Sequence, residues 1–348
     1  MMHRRTALLA ACALPALAAS AQAEVNVVTS IKPVHSLVSA VMKGAGAPTL
    51  IVEGAASPHT YSLKPSQAAA LQDADVIFWI GDGLENFLEK PISTIGAGTT
   101  AIELVHSHGL ETLGFREGGT FEKHSHADGD HDEHEEHAEA EDHEHEHEHE
   151  HDDDHDHHED HDHEDDHDHD EHHDHGSVDM HLWLDPMNGK AMVHEIAETL
   201  AAIDPDNADL YEANAADVSD RLDALAAELT VDLEPVHDKG YIVFHDAYQY
   251  FEHRFGLTPA GSITVTPDIM PGAERLHEIR AKVTELGATC VFAEPQFEPK
   301  LISVITEGTD AKSGTLDPLG AGIKDGPDLY FELLRGMATS FKTCLTAQ

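Results

Sequence analysis

This 348-residue chain carries 31 histidines, and 20 of them fall between His124 and His175. Neutral imidazole is a common ligand for zinc and other borderline metals, so metal binding is the first chemistry to consider for that stretch. In His143-Glu144-His145-Glu146-His147-Glu148-His149 a nitrogen donor and an oxygen donor alternate at every residue. A flexible chain of this kind wraps a tetrahedral ion in many ways, at modest affinity per site because ordering the chain costs entropy. Zn²⁺, Ni²⁺, Cu²⁺ and Co²⁺ would all bind it, so the stretch does not name its metal. The rival reading is an acidic entropic bristle. Asp and Glu alone would serve that purpose, and the histidine content argues against it.

Three further histidines lie in segments patterned like ordered structure. His59 sits in Ser57-Pro58-His59-Thr60-Tyr61-Ser62-Leu63-Lys64-Pro65-Ser66, a loop leading into a helix. His181 opens His181-Leu182-Trp183-Leu184-Asp185-Pro186, just after the His-rich stretch. His245 ends the predicted strand Tyr241-Ile242-Val243-Phe244-His245 and is followed by Asp246. Ligands of α/β folds bind at the carboxyl ends of parallel strands. Each of the three also reads as an ordinary core or loop histidine, and spacing alone does not bring them together.

Three imidazoles plus one oxygen are also a catalytic zinc set, with water in the open position. Catalysis would require a nearby base and a substrate pocket. His194-Glu195-Ile196-Ala197-Glu198 begins like the metalloprotease motif H-E-x-x-H, but Glu198 stands where the second ligand belongs. No G-x-S-x-G, P-loop or G-x-G-x-x-G motif occurs. Glu294, at a predicted strand end, reads either as a partner that fixes a ligating histidine's tautomer or as an ordinary strand-end carboxylate. His35, His106, His108, His194, His237, His253 and His277 read as surface or helix-face residues, and Trp79 and Trp183 as core.

The elements that must position these groups alternate. Strands are predicted over 25–30, 49–52, 75–80 and 100–105, with helices over 33–43, 65–72 and 86–89. After 118–178, which lacks hydrophobic periodicity and reads as disordered, helices are predicted over 187–203 and 207–233. A second alternation follows, with strands at 241–245, 258–263, 289–293 and 314–316 and helices at 246–255, 274–286, 300–306 and 329–345. Such alternation implies parallel sheets with helical crossovers. The chain thus reads as two α/β lobes, each a mostly parallel sheet flanked by helices. They span 24–204 and 235–348, joined by one long helix within 205–234.

Arg4 and Arg5, an apolar run over 6–19 and Ala21-Gln22-Ala23 form a signal peptide over 1–23, so the mature chain is expected to begin at Glu24 in an exported, soluble form. The rival reading is a lipobox, Leu9-Ala10-Ala11-Cys12. With the signal removed, Cys290 and Cys344 remain. An even count in an oxidising compartment suggests a disulfide, the alternative being two buried free thiols. The formal charge is −47, and removing the 27 acidic residues of 124–175 leaves −20 on the rest. This balance repels nucleic acid and is compatible with a cationic ligand.

The segments around His59, His181 and His245, with Ala293-Glu294-Pro295-Gln296-Phe297 and Gly314-Thr315-Leu316-Asp317-Pro318-Leu319-Gly320, resemble those of ZnuA-type solute-binding proteins of zinc ABC transporters. The likeness covers essentially the whole mature chain, including the place of the His-rich insert. It implies a periplasmic protein that captures Zn²⁺ between its lobes and delivers it to an ABC permease without catalysis. His59 and His181 would come from the N-terminal lobe and His245 from the C-terminal one. Asp317 matches the position where manganese-binding relatives place a carboxylate, which makes it a candidate fourth ligand or a nearby supporting group. Water is the alternative, since Pro58 stands where some relatives carry Glu. Imidazole at 245, where manganese relatives usually have Glu, suits zinc. The family's disulfide matches Cys290 and Cys344. The partners implied are the permease, its ATPase, Zn²⁺ ions and a periplasmic zinc chaperone, with no nucleic acid, and the protein itself a monomer. Other readings are a zinc buffer that meets no permease and a carrier of Mn²⁺ or Fe²⁺.

Overall fold

The computed structural model describes residues 25–95, 98–116, 178–264, 272–285, 287, 290–297 and 300–347. The expected signal peptide, the lipobox and the His-rich segment lie outside them.

The first sheet contains β1 (Val27–Thr29), β2 (Thr49–Leu50), β3 (Val76–Trp79) and β4 (Thr100–Glu103), all parallel in the order β2-β1-β3-β4. Its crossovers are α1 (Lys32–Val41), α2 (Pro65–Gln72) and α3 (Asn86–Thr94). The second repeats the plan with β5 (Tyr241–His245), β6 (Pro259–Thr264), β7 (Cys290–Ala293) and β8 (Lys312–Thr315) in the order β6-β5-β7-β8. Its helices are α6 (Gln249–Phe255), α7 (Ala273–Glu285) and α8 (Lys300–Thr306). In each sheet the winding reverses between the first and third strands. Such reversals open a crevice at the strands' carboxyl ends.

Between the sheets run α4 (Pro186–Ile203) and α5 (Ala208–Leu233), and α9 (Leu329–Thr346) closes the chain. The 26 residues of α5 span about 39 Å. Tyr211, Ala215, Val218, Leu222, Leu225, Leu229 and Leu233 recur every three or four residues and are all buried. They face α4, α1 and α9. One hydrophobic core therefore runs from Val27 in the first sheet to Leu345 in the last helix, and a smaller core lines the outer face of the second sheet.

Several local expectations change. The third helix continues through Pro91 to Thr94. The helix after β5 begins at Gln249 rather than 246, and the Asp246 side chain pairs with Arg116. His35 is buried, its Nε2 3.3 Å from the Pro48 carbonyl oxygen, and is not a surface residue. The C-terminal helix packs on β8 of its own lobe and also reaches α1. Tyr330 donates from its hydroxyl to the Trp183 carbonyl at 2.6 Å, over Gly189 of α4, where a Cβ would collide with it.

Cys290 of β7 and Cys344 of α9 form a disulfide across 54 residues of sequence. Replacing both by serine should lower unfolding stability by about 2–4 kcal/mol, because the open loop regains chain entropy. A denaturant titration checks this, and metal stoichiometry should not change.

Candidate metal centre

His59 lies in a single helical turn, Pro58–Thr60, whose start is capped by Ser57 Oγ accepting the His59 N–H at 3.3 Å. Behind it Gln67 donates to the Ile51 carbonyl at 2.6 Å, which ties the loop to the end of β2. His181 precedes another such turn, Leu182–Leu184. Asp185 then caps α4 by accepting from the Met187 amide at 2.8 Å. His245 is the last residue of β5, at the reversal point of the second sheet. The structure thus brings the three histidines together.

His59 Nε2 and His245 Nε2 each lie 3.3 Å from His181 Nε2. Four-coordinate zinc with Zn–N bonds of about 2.0–2.1 Å places its ligand nitrogens about 3.3–3.4 Å apart, so these separations are tetrahedral edges. Among the described residues this is the group of His, Cys, Asp and Glu donors that could hold a metal ion.

The tautomers are set from behind. His181 Nδ1 lies 2.7 Å from Asp179 Oδ1, and His245 Nδ1 lies 2.7 Å from Glu294 Oε1. A carboxylate only accepts, so the proton sits on each Nδ1 and each Nε2 keeps a bare lone pair. The His181 and His245 lone pairs therefore face each other at 3.3 Å in a buried site. Only a cation between them, a proton or a metal, satisfies both.

The two partly opposed titrations agree with this. Burial, reinforced by the neighbouring His181 and His245, holds His59 well below the usual imidazole range. Burial alone would also depress His245. The Glu294 carboxylate, by charge and hydrogen bond, and then Asp246 and Asp179 outweigh it and hold His245 above that range.

Asp317 lies outside the cluster. Its carboxylate accepts from the amides of Leu319 at 3.2 Å, Gly320 at 2.9 Å and Ala321 at 2.6 Å, and from Gln296 Nε2 at 3.1 Å. Three of these donors share Oδ1 and one meets Oδ2, so the carboxylate is tied to the turn that follows it. Glu294 takes the part of histidine partner. Asp179 plays the same part for His181 and was not anticipated, although a carboxylate two residues before a candidate ligand is a legible signal. Also unanticipated is Arg116, which pairs with Asp246 beside His245 and with Glu252, the latter at 2.7 Å. His106, His108, His194, His253 and His277 are exposed and away from the site. Trp183 is buried as expected, but its ring also borders His181, with centroids 5.4 Å apart.

The family described as Zinc-uptake complex component A periplasmic (ZnuA) matches residues 27–344. The high-affinity zinc uptake system protein ZnuA of Brucella suis biovar 1 (strain 1330) is 56% identical over 321 residues, covering 92% of each chain. The protein of the same description from Paracoccus denitrificans (strain Pd 1222) is 44% identical over 348 residues, covering 99% of this chain and 100% of its own. The crystal structure of a ZnuA deletion mutant with zinc bound superposes with a TM-score of 0.68 at 25% identity, covering 94% of this chain and all of that one.

Asp179→Asn and Glu294→Gln should each weaken Zn²⁺ binding by roughly 10–100-fold, by releasing the tautomer and ring orientation of one histidine. Competition against a chromophoric chelator measures this, and unchanged melting temperatures would separate it from loss of fold.

Proposed function

Because the chain belongs to the ZnuA family of periplasmic zinc-uptake components, we propose that it captures Zn²⁺ where His59, His181 and His245 converge and hands the ion to an ABC permease driven by its ATPase. The observation that carries this reading is the pair of buried Nε2 lone pairs on His181 and His245, 3.3 Å apart with both Nδ1 protons committed to carboxylates. Nitrogen donors at tetrahedral spacing suit zinc, whereas manganese prefers oxygen donors.

The protein is a transport component rather than an enzyme. The pocket over the histidines has a volume of about 10 Å³, walled by Pro58, Trp183, Phe297 and Leu319. That is space for about one water molecule. Asp317 is spent on backbone amides, which favours water in the fourth position. In this reading the protein works as a periplasmic monomer. The segment over 124–175 gathers further ions at lower affinity, and a zinc chaperone supplies the site. Among the described residues no helix is long and apolar enough to cross a membrane.

Substituting His59, His181 or His245 by alanine should each weaken the tight site by more than about 100-fold, beyond the cost of losing a hydrogen-bond partner of a ligand. Zinc titration of the full chain tests this. A tight site indifferent to all three would overturn the assignment.

Acid should weaken binding, with a worked sign. His245 is held above its ordinary value by Glu294, so on acidification it takes a proton early, and the ion must displace that proton to bind. Affinity is therefore greatest at alkaline pH and falls as pH drops toward and below roughly 6.5. Equal affinity at pH 8 and pH 5 would contradict histidine ligation.

A further inference from the structure

We infer that Gln296 is a positioning residue for the fourth coordination place, its side-chain oxygen accepting a hydrogen bond from the water that completes the zinc sphere. This rests on the three-histidine reading above and deepens it.

Three imidazoles leave one tetrahedral vertex open. The polar side chains lining the same pocket are Ser57, Glu294 and Gln296. Ser57 Oγ already accepts the His59 amide. Glu294 gives Oε1 to the His245 Nδ1, on the far side of that ring from Nε2, and its other oxygen, also buried without a close partner, lies toward Tyr248. Gln296 remains. Its Nε2 donates to Asp317 Oδ1 at 3.1 Å, which fixes the carboxamide orientation, since its oxygen could not face that carboxylate. The opposite end, Oε1, is buried and has no hydrogen-bond partner. A carbonyl oxygen can only accept, so what satisfies it must be a donor or a cation.

Leaving such an acceptor unmade in a buried place is costly, and an ordered water or an ion is a partner that would satisfy it. A water on the zinc is polarised by the ion and is a strong donor. The pocket volume of about 10 Å³ matches one such molecule. Asp317 therefore acts on the ion at two removes. Fastened by the amides of Leu319, Gly320 and Ala321, it orients Gln296, and Gln296 orients the water. A carboxylate that ligates manganese directly in related folds, by the resemblance noted above, would here serve as an anchor.

The test uses the full-length protein as wild type, Gln296→Leu, Gln296→Met and His181→Ala. Zn²⁺ affinity is read by chelator competition, and the visible spectrum is read with one equivalent of Co²⁺, whose bands report the coordination sphere. Gln296→Leu should weaken Zn²⁺ about 10-fold and shift the Co²⁺ bands. Gln296→Met, which keeps the side-chain length, should do the same and carries the test if the leucine variant does not fold. Wild-type affinity and an unchanged Co²⁺ spectrum in both Gln296 variants, with the tight site lost in His181→Ala, would overturn this inference and leave the zinc reading standing. Tight binding retained in His181→Ala would overturn the zinc reading itself.

Discussion

Two imidazole Nε2 nitrogens, each on a ring whose Nδ1 proton is held by a carboxylate behind it, face each other across 3.3 Å in the interior of the molecule. Buried acceptors left without a partner cost about 1–3 kcal/mol each, and here the two also repel. The fold tolerates this only because the groups behind them are themselves held. The Asp179 carboxylate accepts from the His181 amide at 3.0 Å, and its carbonyl accepts the Tyr250 hydroxyl at 2.7 Å. Glu294 Oε1 accepts from the His245 amide at 3.3 Å as well as from its ring. Both carboxylates are thus fastened to the backbone, and a cation between the two Nε2 atoms would satisfy both.

That arrangement depends on the lobes keeping their relative position, and the polar contacts between them are placed accordingly. Lys32 at the start of α1 donates to the Ile323 carbonyl at 2.8 Å and pairs with Asp325 at 3.1 Å. Trp183 Nε1 donates to the Pro318 carbonyl at 2.8 Å. The Tyr250 hydroxyl accepts the Leu113 amide at 3.0 Å, Arg254 reaches Asp185 at 2.7 Å, and Arg116 bridges to Asp246 and Glu252. These ties join the two lobes, while α5 and α9 contribute to a core that both share. Wide hinge rotation would break most of them together. The cost of binding is therefore met by preorganisation, and little ordering remains to be done when the ion arrives.

Much of this was legible in the sequence because it depends on periodicity. Two runs of alternating strand and helix patterns gave the two parallel sheets, and apolar residues every three or four positions marked α5. His245 could be placed at a strand's carboxyl end because Tyr241–Phe244 is an unbroken apolar run ending in a polar residue. Convergence was a different matter. His59 and His181 are 122 residues apart, and only resemblance to a family joined them in advance. What the sequence did not yield were contacts set by side-chain direction. Asp317 is a candidate ligand by its match to the carboxylate position of manganese-binding relatives, and its carboxylate accepts from the turn that follows it. Gly320 there adopts a positive φ of 71°, and the amides around it converge on the carboxylate. His35 sits within an amphipathic helix pattern, and no periodicity reveals that its ring would meet the Pro48 carbonyl.

The three histidines are not equivalent, and the difference indicates where the site opens. His181 and His245 are buried and each is braced by a carboxylate, whereas among the described residues no carboxylate braces His59. His59 is only half-buried and rides on one helical turn held by a serine cap and the Gln67 side chain. None of the polar ties between lobes named above comes from the loop that carries it. Losing it would reduce the sphere to two protein nitrogens and solvent, a weaker site that still keeps the ion in place. If the three histidines hold the ion as proposed, the braced pair would meet it already oriented, and His59 would be the ligand left to close on it.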